Sequence, residues 1–322
     1  MTEHRPGSDP EMITRSRRPL DPGEVSAHLA APLRWRVEQV AVTGSTNADL
    51  AGAAQALESG QVRTAEEQLT GRGRSGRDWS CPAGAGLMFS CLLRLPQVPA
   101  DRRGWTGAVL GLAIVGALQD AFGSDARGRV SLKWPNDVLI DGRKCAGILG
   151  EAVEDAVVVG AGINVSIGAD ELPRADATSL LLVAGAAAGP TVPVPVPVPA
   201  PESVMRPTGT AGEMPAAGAT DLGLPAWLDR ARLFAGILDH FGNLLDRWVA
   251  ADGNVDASGV RGQYRTHCST LGARVRLILP GGAELITRAV DVGADGALLT
   301  EDDAGRRASY SAADVVHLRA AG

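Results

Sequence analysis

VSLKWPNDVLIDGRKCAGILGEAV, residues 130–153, decides the fold. Apolar and polar residues alternate up to Trp134, Pro135 and Asn136 make a corner, and a short apolar run at 138–140 meets Asp141-Gly142 before a longer run opens at Lys144. Asp-Gly between apolar runs is a hairpin signal, because the central residues of such a turn need positive φ. The stretch therefore predicts three strands folded back on one another, bringing Lys133 and Lys144 toward the Asn136-Asp137 corner. Just downstream, AVVVGAGINV at 156–165 predicts another strand, with glycines where the backbone must pass close to something and Asn164 as a polar residue in an apolar run. A buried asparagine satisfied by backbone is the plainer reading of Asn164.

Upstream lie a predicted strand at 35–42, a helix over 48–58 stopped near Gly60, a strand at 62–68, an apolar strand at 87–95 and a helix over 101–122 ending at Gly123. Ser45 or Thr46 in GSTN is placed to cap the first helix, and one of these hydroxyls can also face a ligand at the helix start. Between the strands at 62–68 and 87–95 sits QLTGRGRSGRDW, residues 68–79. Glycines let the backbone turn tightly while Arg72, Arg74 and Arg77 bring guanidinium forks into one small volume, which suits a phosphate or carboxylate. Gly-Arg alternation also occurs in disordered RNA-binding segments and in plain solvated loops, but a segment held between two strands reads as a binding loop.

Downstream, 225–249 carries an apolar stripe (Trp227, Leu228, Ala231, Phe234, Ala235, Leu238, Phe241, Leu245, Trp248) at helical spacing. Five short strands with turn signals then follow over 273–318, the pattern of a small barrel of SH3-like style. Residues 183–223, including VPVPVPVPAP, are rich in Ala, Gly, Pro and Thr and read as an extended surface insertion without catalytic residues. The expected organisation is a disordered tail at 1–32, a catalytic domain at 33–268 that carries the insertion, and a C-terminal barrel at 269–322.

Composition limits the function. With 31 basic and 37 acidic residues the net charge of −6 opposes a surface-wide nucleic-acid footprint, so polyanion binding must be local. Cys81, Cys91, Cys145 and Cys268 show no CxxC spacing and the five histidines are scattered, which suggests neither a zinc site nor a disulfide framework and points to a reducing cytoplasm. The apolar run at 107–118 is too short to span a bilayer, and its small residues suit a helix lying close on a sheet; the run at 180–198 is broken by alternate prolines.

GSTN at 44–47, GRGRSGR at 71–77, KWPNDVLIDGRKCAGILGE at 133–151 and GAGINV at 160–165 stand in one order that closely resembles the biotin protein ligases, which attach biotin to acyl-CoA carboxylase carrier domains. The likeness covers about 33–180 and, more loosely, 225–319. It implies an α+β protein, a mixed-sheet catalytic domain of the biotin/lipoate ligase type followed by a small SH3-like β-barrel. By that resemblance Ser45, Thr46, Asn47 and Gln68 match positions that hold biotin, Arg72, Gly73 and Arg74 match the loop that closes over carboxylate and phosphate, and Lys144 bridges both. Arg72, Arg74 and Lys144 are the catalytic set it implies. Arg74, Arg77, Trp79, Asn136, Asp137, Lys144 and Asn164 match positions around ATP, with Trp79 packing on adenine and Asp137 and Asn164 beside a magnesium ion. The implied partner is a biotin carboxyl carrier domain, with no membrane, with no DNA because 1–32 is too short for the winged helix of the repressor members, and as monomer or homodimer.

Two rivals remain. A lipoate or octanoate transferase or ligase shares the architecture, but the polar Ser45-Thr46-Gln68 set suits a ureido ring better than a bare acyl chain. A nucleic-acid module built on the Arg-Gly loop is opposed by net charge and has only Trp79 nearby for stacking.

Overall fold

β3 (Gly86–Arg94, GLMFSCLLR) and β7 (Ala156–Asn164, AVVVGAGIN) are nearly unbroken apolar runs, and such strands belong where both faces of a sheet are covered. In the computed structural model, which describes residues 10–31, 33–123, 128–186 and 224–318, they pair antiparallel at the centre of a seven-stranded sheet, in register from Gly86↔Asn164 to Arg94↔Ala156. The sheet order is β1-β2-β3-β7-β6-β5-β4. β1 (Arg36–Thr43) and β2 (Gln61–Gln68) are parallel, as their connection through helix α3 (Thr46–Gly52) requires. β4 (Val130–Lys133), β5 (Asp137–Ile140) and β6 (Arg143–Val153) follow as antiparallel hairpins, the three strands expected from residues 130–153.

α4 (Thr106–Phe122) and α6 (Arg230–Ala250) pack on each other, and α4 lies on β4, β6 and β7. Leu87, Phe89, Cys91 and Leu93 meet this layer, while Leu92 and Val158 point to the other face and pack with Leu50 and Ala54 around α3. Gly111 lets α4 sit close on the sheet, since a Cβ there would lie 3.1 Å from Leu132 and 3.2 Å from Ile148. Ala100–Phe122 is long and apolar enough to cross a membrane, yet 61% of that window is buried inside the molecule, as a core helix on a sheet must be. Asp229 caps α6 by accepting from Ala231 N and Arg232 N at 3.0 and 3.2 Å, and the apolar stripe of α6 enters the core.

The C-terminal strands β8 (Arg274–Ile278), β9 (Glu284–Val292), β10 (Leu298–Glu301), β11 (Arg307–Tyr310) and β12 (Asp314–His317) form one antiparallel sheet in the order β11-β10-β9-β8-β12. Two indoles fasten it to the larger body: Trp105 Nε1 donates to Ala294 O at 2.7 Å and Trp134 Nε1 to Gly296 O at 3.0 Å.

Four expectations change. Residues 10–31 are not a tail: they form α1 (Pro10–Ser16) and α2 (Pro22–His28), and Leu20, Val25 and Leu29 join the core. Those three apolar residues, Val25 within α2 and Leu20 and Leu29 flanking it, are the signal that the surrounding charges obscure. The first helix after GSTN ends at Gly52 rather than near Gly60, with Ala53 N–H closing on Ala51 O and Asp49 O. Residues 100–105 make a 3-10 turn ahead of α4, so that helix starts later than 101. α5 (Leu180–Ala186) runs into the start of the expected insertion, whose residues 187–223 lie outside the described residues.

Arg230 knits the N-terminal segment to the core. Its side chain is 4% exposed, lies 2.8 Å from Glu66 Oε2 in an ion pair, and donates to Gly86 O at 3.0 Å and to Arg18 O. Glu66 in turn accepts from Leu20 N at 2.6 Å. Removing one partner of a buried pair leaves an uncompensated charge, costing about 3–5 kcal/mol. Arg230→Met should therefore lower the unfolding free energy by that amount, read as a fall in the urea midpoint, and expose residues 10–31 to limited proteolysis; an unchanged midpoint and digestion pattern would show that Arg230 does not fasten this segment.

Candidate active site

The cavity begins at the start of α3. Ser45 Oγ accepts from Ala48 N at 3.5 Å, so Ser45 caps the helix and also lines the cavity. Thr46 N–H donates to Gln68 Oε1 at 2.8 Å and Thr46 Oγ1 lies 3.1 Å from the same oxygen, which locks the Gln68 amide at the end of β2. Beneath them, Thr46 Oγ1 meets Ser90 Oγ at 2.7 Å, and Ser90 Oγ donates to Asn47 Oδ1 at 2.5 Å. Asn47 Nδ2 donates to Leu149 O at 3.3 Å and to Glu151 Oε2 at 2.8 Å. Asn47 thus lines the cavity, yet its amide is satisfied by neighbours and holds Thr46 in place through Ser90. Gly160 makes room for this network, since a Cβ there would lie 2.3 Å from Asn47 Oδ1, 2.5 Å from Ser90 Oγ and 2.7 Å from Phe89 O.

The Gly-Arg segment leaves β2 and folds on itself. Gly73 N–H donates to Arg77 O at 2.6 Å and Arg77 N–H to Arg74 O at 3.2 Å, around a 3-10 turn at Arg74–Gly76. Gly76 has φ +70° and Gly71 has Trp79 O only 2.4 Å from where a Cβ would stand, so both positions need glycine. Leu69 and Thr70 extend the β1–β2 pairing through Thr43 O and Gly44 O, which seats the entry to the loop. Arg74 Nη1 is buried and has no hydrogen-bond partner among the described residues. Burial pulls the Arg74 guanidinium below the usual arginine range, opposed by Asp314 and reinforced by Arg77. A buried guanidinium N–H without an acceptor is a place for an anion.

The indole of Trp79 lies across the sheet, where Cβ atoms at Gly162 and Gly147 would come within 2.3 and 2.9 Å of its ring. Its Nε1 is also buried and without a partner among the described residues. Lys144 Nζ stands 5.6 Å from the Trp79 ring centroid and 2.6 Å from Asp137 Oδ1. The Lys144 backbone is clamped between Asp176 O and Thr178 N, each at 2.8 Å. Asn136 Nδ2 donates to Ile148 O at 2.8 Å, and Asn164 Nδ2 donates to Thr178 O at 2.9 Å with the residue 3% exposed. The backbone-satisfied reading of Asn164 therefore holds for its amide nitrogen, while the residue still borders the cavity.

Ser45, Thr46, Asn47, Gln68, Arg72, Gly73, Arg74, Arg77, Trp79, Asn136, Asp137, Lys144 and Asn164 all line one cavity of about 440 Å³. A second chamber of about 800 Å³ shares Arg72, Arg74, Trp134 and Asn136 with it and opens toward the C-terminal sheet. Among the described residues no three His, Cys, Asp or Glu side chains gather to hold a metal, and Asp137 is already paired with Lys144. Asp137 and Asn164 alone do not make a magnesium site, so the ion would have to arrive with phosphate oxygens completing its shell.

Three residues here were not assigned from sequence. Lys133 borders the cavity, and burial lowers its pKa from the usual lysine range, opposed by Asp137 and Asp176. It opens the KWPN motif and was legible as a neighbour of the corner. Ser90 sits in an apolar strand with nothing to distinguish it. Asp314 comes from the other sheet and pairs with Arg77 at 2.5 Å across 237 positions, which no local pattern announces.

The model for the biotin/lipoate A/B protein ligase family matches residues 40–167. The chain is 36% identical over 309 residues to the biotin--[acetyl-CoA-carboxylase] ligase of Mycobacterium tuberculosis, covering 95% of this chain and 98% of that protein. It is 41% identical over 133 residues to the enzyme of the same name from Paracoccus denitrificans, covering 39% of this chain and 53% of that one. The biotin protein ligase of Aquifex aeolicus, solved with biotin and ATP, superposes with a TM-score of 0.62 at 23% identity over 88% of this chain and 99% of that chain, a likeness of fold.

The glycine floor is testable by contrast. Gly160→Ala should cost about 1–3 kcal/mol, because the new methyl meets the Phe89 carbonyl as well as two side chains. Gly236→Ala, inside α6 with only Ala117 Cβ at 3.7 Å, should instead stabilise by about 0.5–1 kcal/mol. Equal melting temperatures for the two variants would refute the packing derived for Gly160.

Proposed function

This chain belongs to the biotin protein ligase family, and on that premise we propose how its cavity divides the work. The protein is an ATP-dependent ligase that activates biotin as biotinyl-5′-AMP and transfers it to a lysine of a carboxylase carrier protein, forming an amide bond. The observation that carries the assignment of parts is the convergence of the Ser45-Thr46-Gln68 end, Arg74 Nη1, which has no hydrogen-bond partner among the described residues, and Lys144 on one cavity. The ureido ring lies at the Ser45-Thr46-Gln68 end, where hydroxyls and an amide can match its N–H and C=O groups. The carboxylate points toward Arg72, Arg74 and Lys144.

A carboxylate does not acylate an amine in water, since its leaving group would be oxide. It must first be activated. One carboxylate oxygen attacks the α-phosphorus of ATP in line and pyrophosphate leaves; the acceptor amine then attacks the carbonyl carbon of the anhydride, loses a proton, and AMP leaves. Arg72, Arg74 and Lys144 hold the two anions together, and Arg77, Trp79, Asn136, Asp137 and Asn164 surround the nucleotide, Trp79 with the ring face turned away from Gly147 and Gly162. Magnesium would supply charge neutralisation on the phosphates, with Asp137 as its protein carboxylate. Closure of the Gly-Arg loop keeps water from the anhydride between the two steps.

We read the C-terminal sheet as an SH3-like barrel that begins at 269, the larger body before it as the catalytic domain with the helices at 10–31 packed into it, and the setting as cytoplasmic, without DNA binding and with a monomer or homodimer as the acting form. The polar end of the cavity favours biotin over lipoate, the alternative that the shared family model leaves open.

Incubation of the protein with ATP, magnesium, biotin and a carrier domain should add one biotinyl mass to one lysine; no mass gain, or equal use of lipoate in direct competition, would overturn the assignment. Lys144→Ala should abolish adenylate formation with the melting temperature unchanged, and near-normal pyrophosphate release would remove Lys144 from the chemistry. Lys133, its pKa lowered by burial, loses its charge earlier than an ordinary lysine as pH rises, so adenylate formation should fall on the alkaline side. Lys133→Arg should move that fall to higher pH, and an unmoved limb would show that this charge is not used.

A further inference from the structure

We propose that Asp314, supplied by the C-terminal sheet, is a positioning residue for the Gly-Arg loop: it anchors Arg77 and so sets how readily the loop takes up ATP. Asp314 opens β12, the edge strand paired with β8 from Asp314↔Ile278 to His317↔Val275. Its Oδ1 accepts from Arg77 Nη2 at 2.5 Å, and both residues border the cavity.

Arg77 is the fastener of the loop. Its carbonyl accepts from Gly73 N–H at 2.6 Å, its own N–H donates to Arg74 O at 3.2 Å, and its Nε turns back onto that same carbonyl at 3.3 Å. The turn that aims Arg74 is thus tied at one end to Arg77, and the far end of Arg77 is tied to Asp314. The anchor itself is rigid: Thr270 Oγ1 accepts from Trp134 N–H at 3.1 Å and meets His317 Nε2 at 3.1 Å, so β12 and the KWPN corner share one hydroxyl. Asp314 also favours the charged form of Arg74 against its burial.

Two effects compete when the carboxylate is removed. Loss of the anchor frees the loop, which weakens nucleotide uptake, whereas loss of a negative charge beside the phosphates strengthens it. The anchor dominates because Arg77 makes the turn on which Arg74 depends, while Asp314 is already neutralised by Arg77. Arg77 and Asp314 side chains are 52% and 33% exposed, and exposed ion pairs shift an equilibrium by at most about fivefold. The contact is therefore strong enough to bias the loop and weak enough to be released.

The kinetic arm of the test rests on the ATP-dependent reading given above; the exchange arm does not. In the full chain without ligand, Asp314→Asn should raise hydrogen exchange of residues 72–78 by about threefold to fivefold. In adenylate formation it should raise KM for ATP by about the same factor while KM for biotin stays within about twofold, and Asp314→Glu should restore most of both. In an Arg77→Met background, Asp314→Asn should add nothing further, and Arg77→Met breaks the same pair if Asp314→Asn fails to fold. Unchanged loop exchange, equal shifts in both KM values together with a lower melting temperature, or a fall in KM for ATP would each overturn the proposal. A wild-type protein that forms no adenylate would defeat the ATP-dependent reading alone and leave the exchange result to decide this one.

Discussion

Two negatively charged molecules must be pressed together before either can react. Two unit charges about 4 Å apart repel by about 4 kcal/mol at an effective dielectric constant near 20, and a cavity that excludes water makes that repulsion worse. The remedy in this protein is to set guanidinium and ammonium groups from three separate pieces of chain around one volume: the turn after β2, the last residue of β4, which is Lys133, and the start of β6. Arg74 shows the cost of that arrangement, for its charge is opposed by burial and by Arg77 and its Nη1 has no acceptor among the described residues. An anionic ligand relieves both conditions at once.

The rest of the fold follows from holding those pieces still. The hairpins β4-β5-β6 place Asp137 against Lys144, and the segment at 176–178 clamps the Lys144 backbone from the other side. β7 passes with glycine at 160 and 162 so that the Asn47-Ser90 network and the Trp79 indole can lie against bare backbone. The cavity floor is therefore defined by what side chains are missing as much as by those present. The C-terminal sheet closes the remaining side, fastened by Trp105 and Trp134, and contributes Asp314 and Val315 to the wall.

Much of this was legible in the sequence because it is local. Asp141-Gly142 marked the hairpin, the alternation of glycine and arginine marked the anion loop, and the stripe on α6 marked the core helix. What stayed hidden depends on contacts between distant segments. Leu20, Val25 and Leu29 become core residues only because α6 and β1 lie over them, so a polar-looking segment read as a tail. Asn47 looks like a ligand contact in GSTN, but the structure turns its amide to Ser90 on β3 and to Leu149 and Glu151 on β6, strands that its own motif does not mention. Lys133 could be placed near the corner, while its burial could not be read before the surrounding elements were in place.

The cavity, on this reading, offsets the repulsion between its two substrates. Calorimetry of biotin binding to the protein already holding a non-hydrolysable ATP analogue measures this directly. If the arginines and Lys144 neutralise the pair, biotin should bind the nucleotide-loaded protein at least as tightly as the free protein. A loss of tenfold or more, about 1.4 kcal/mol of unrelieved repulsion, would contradict the account.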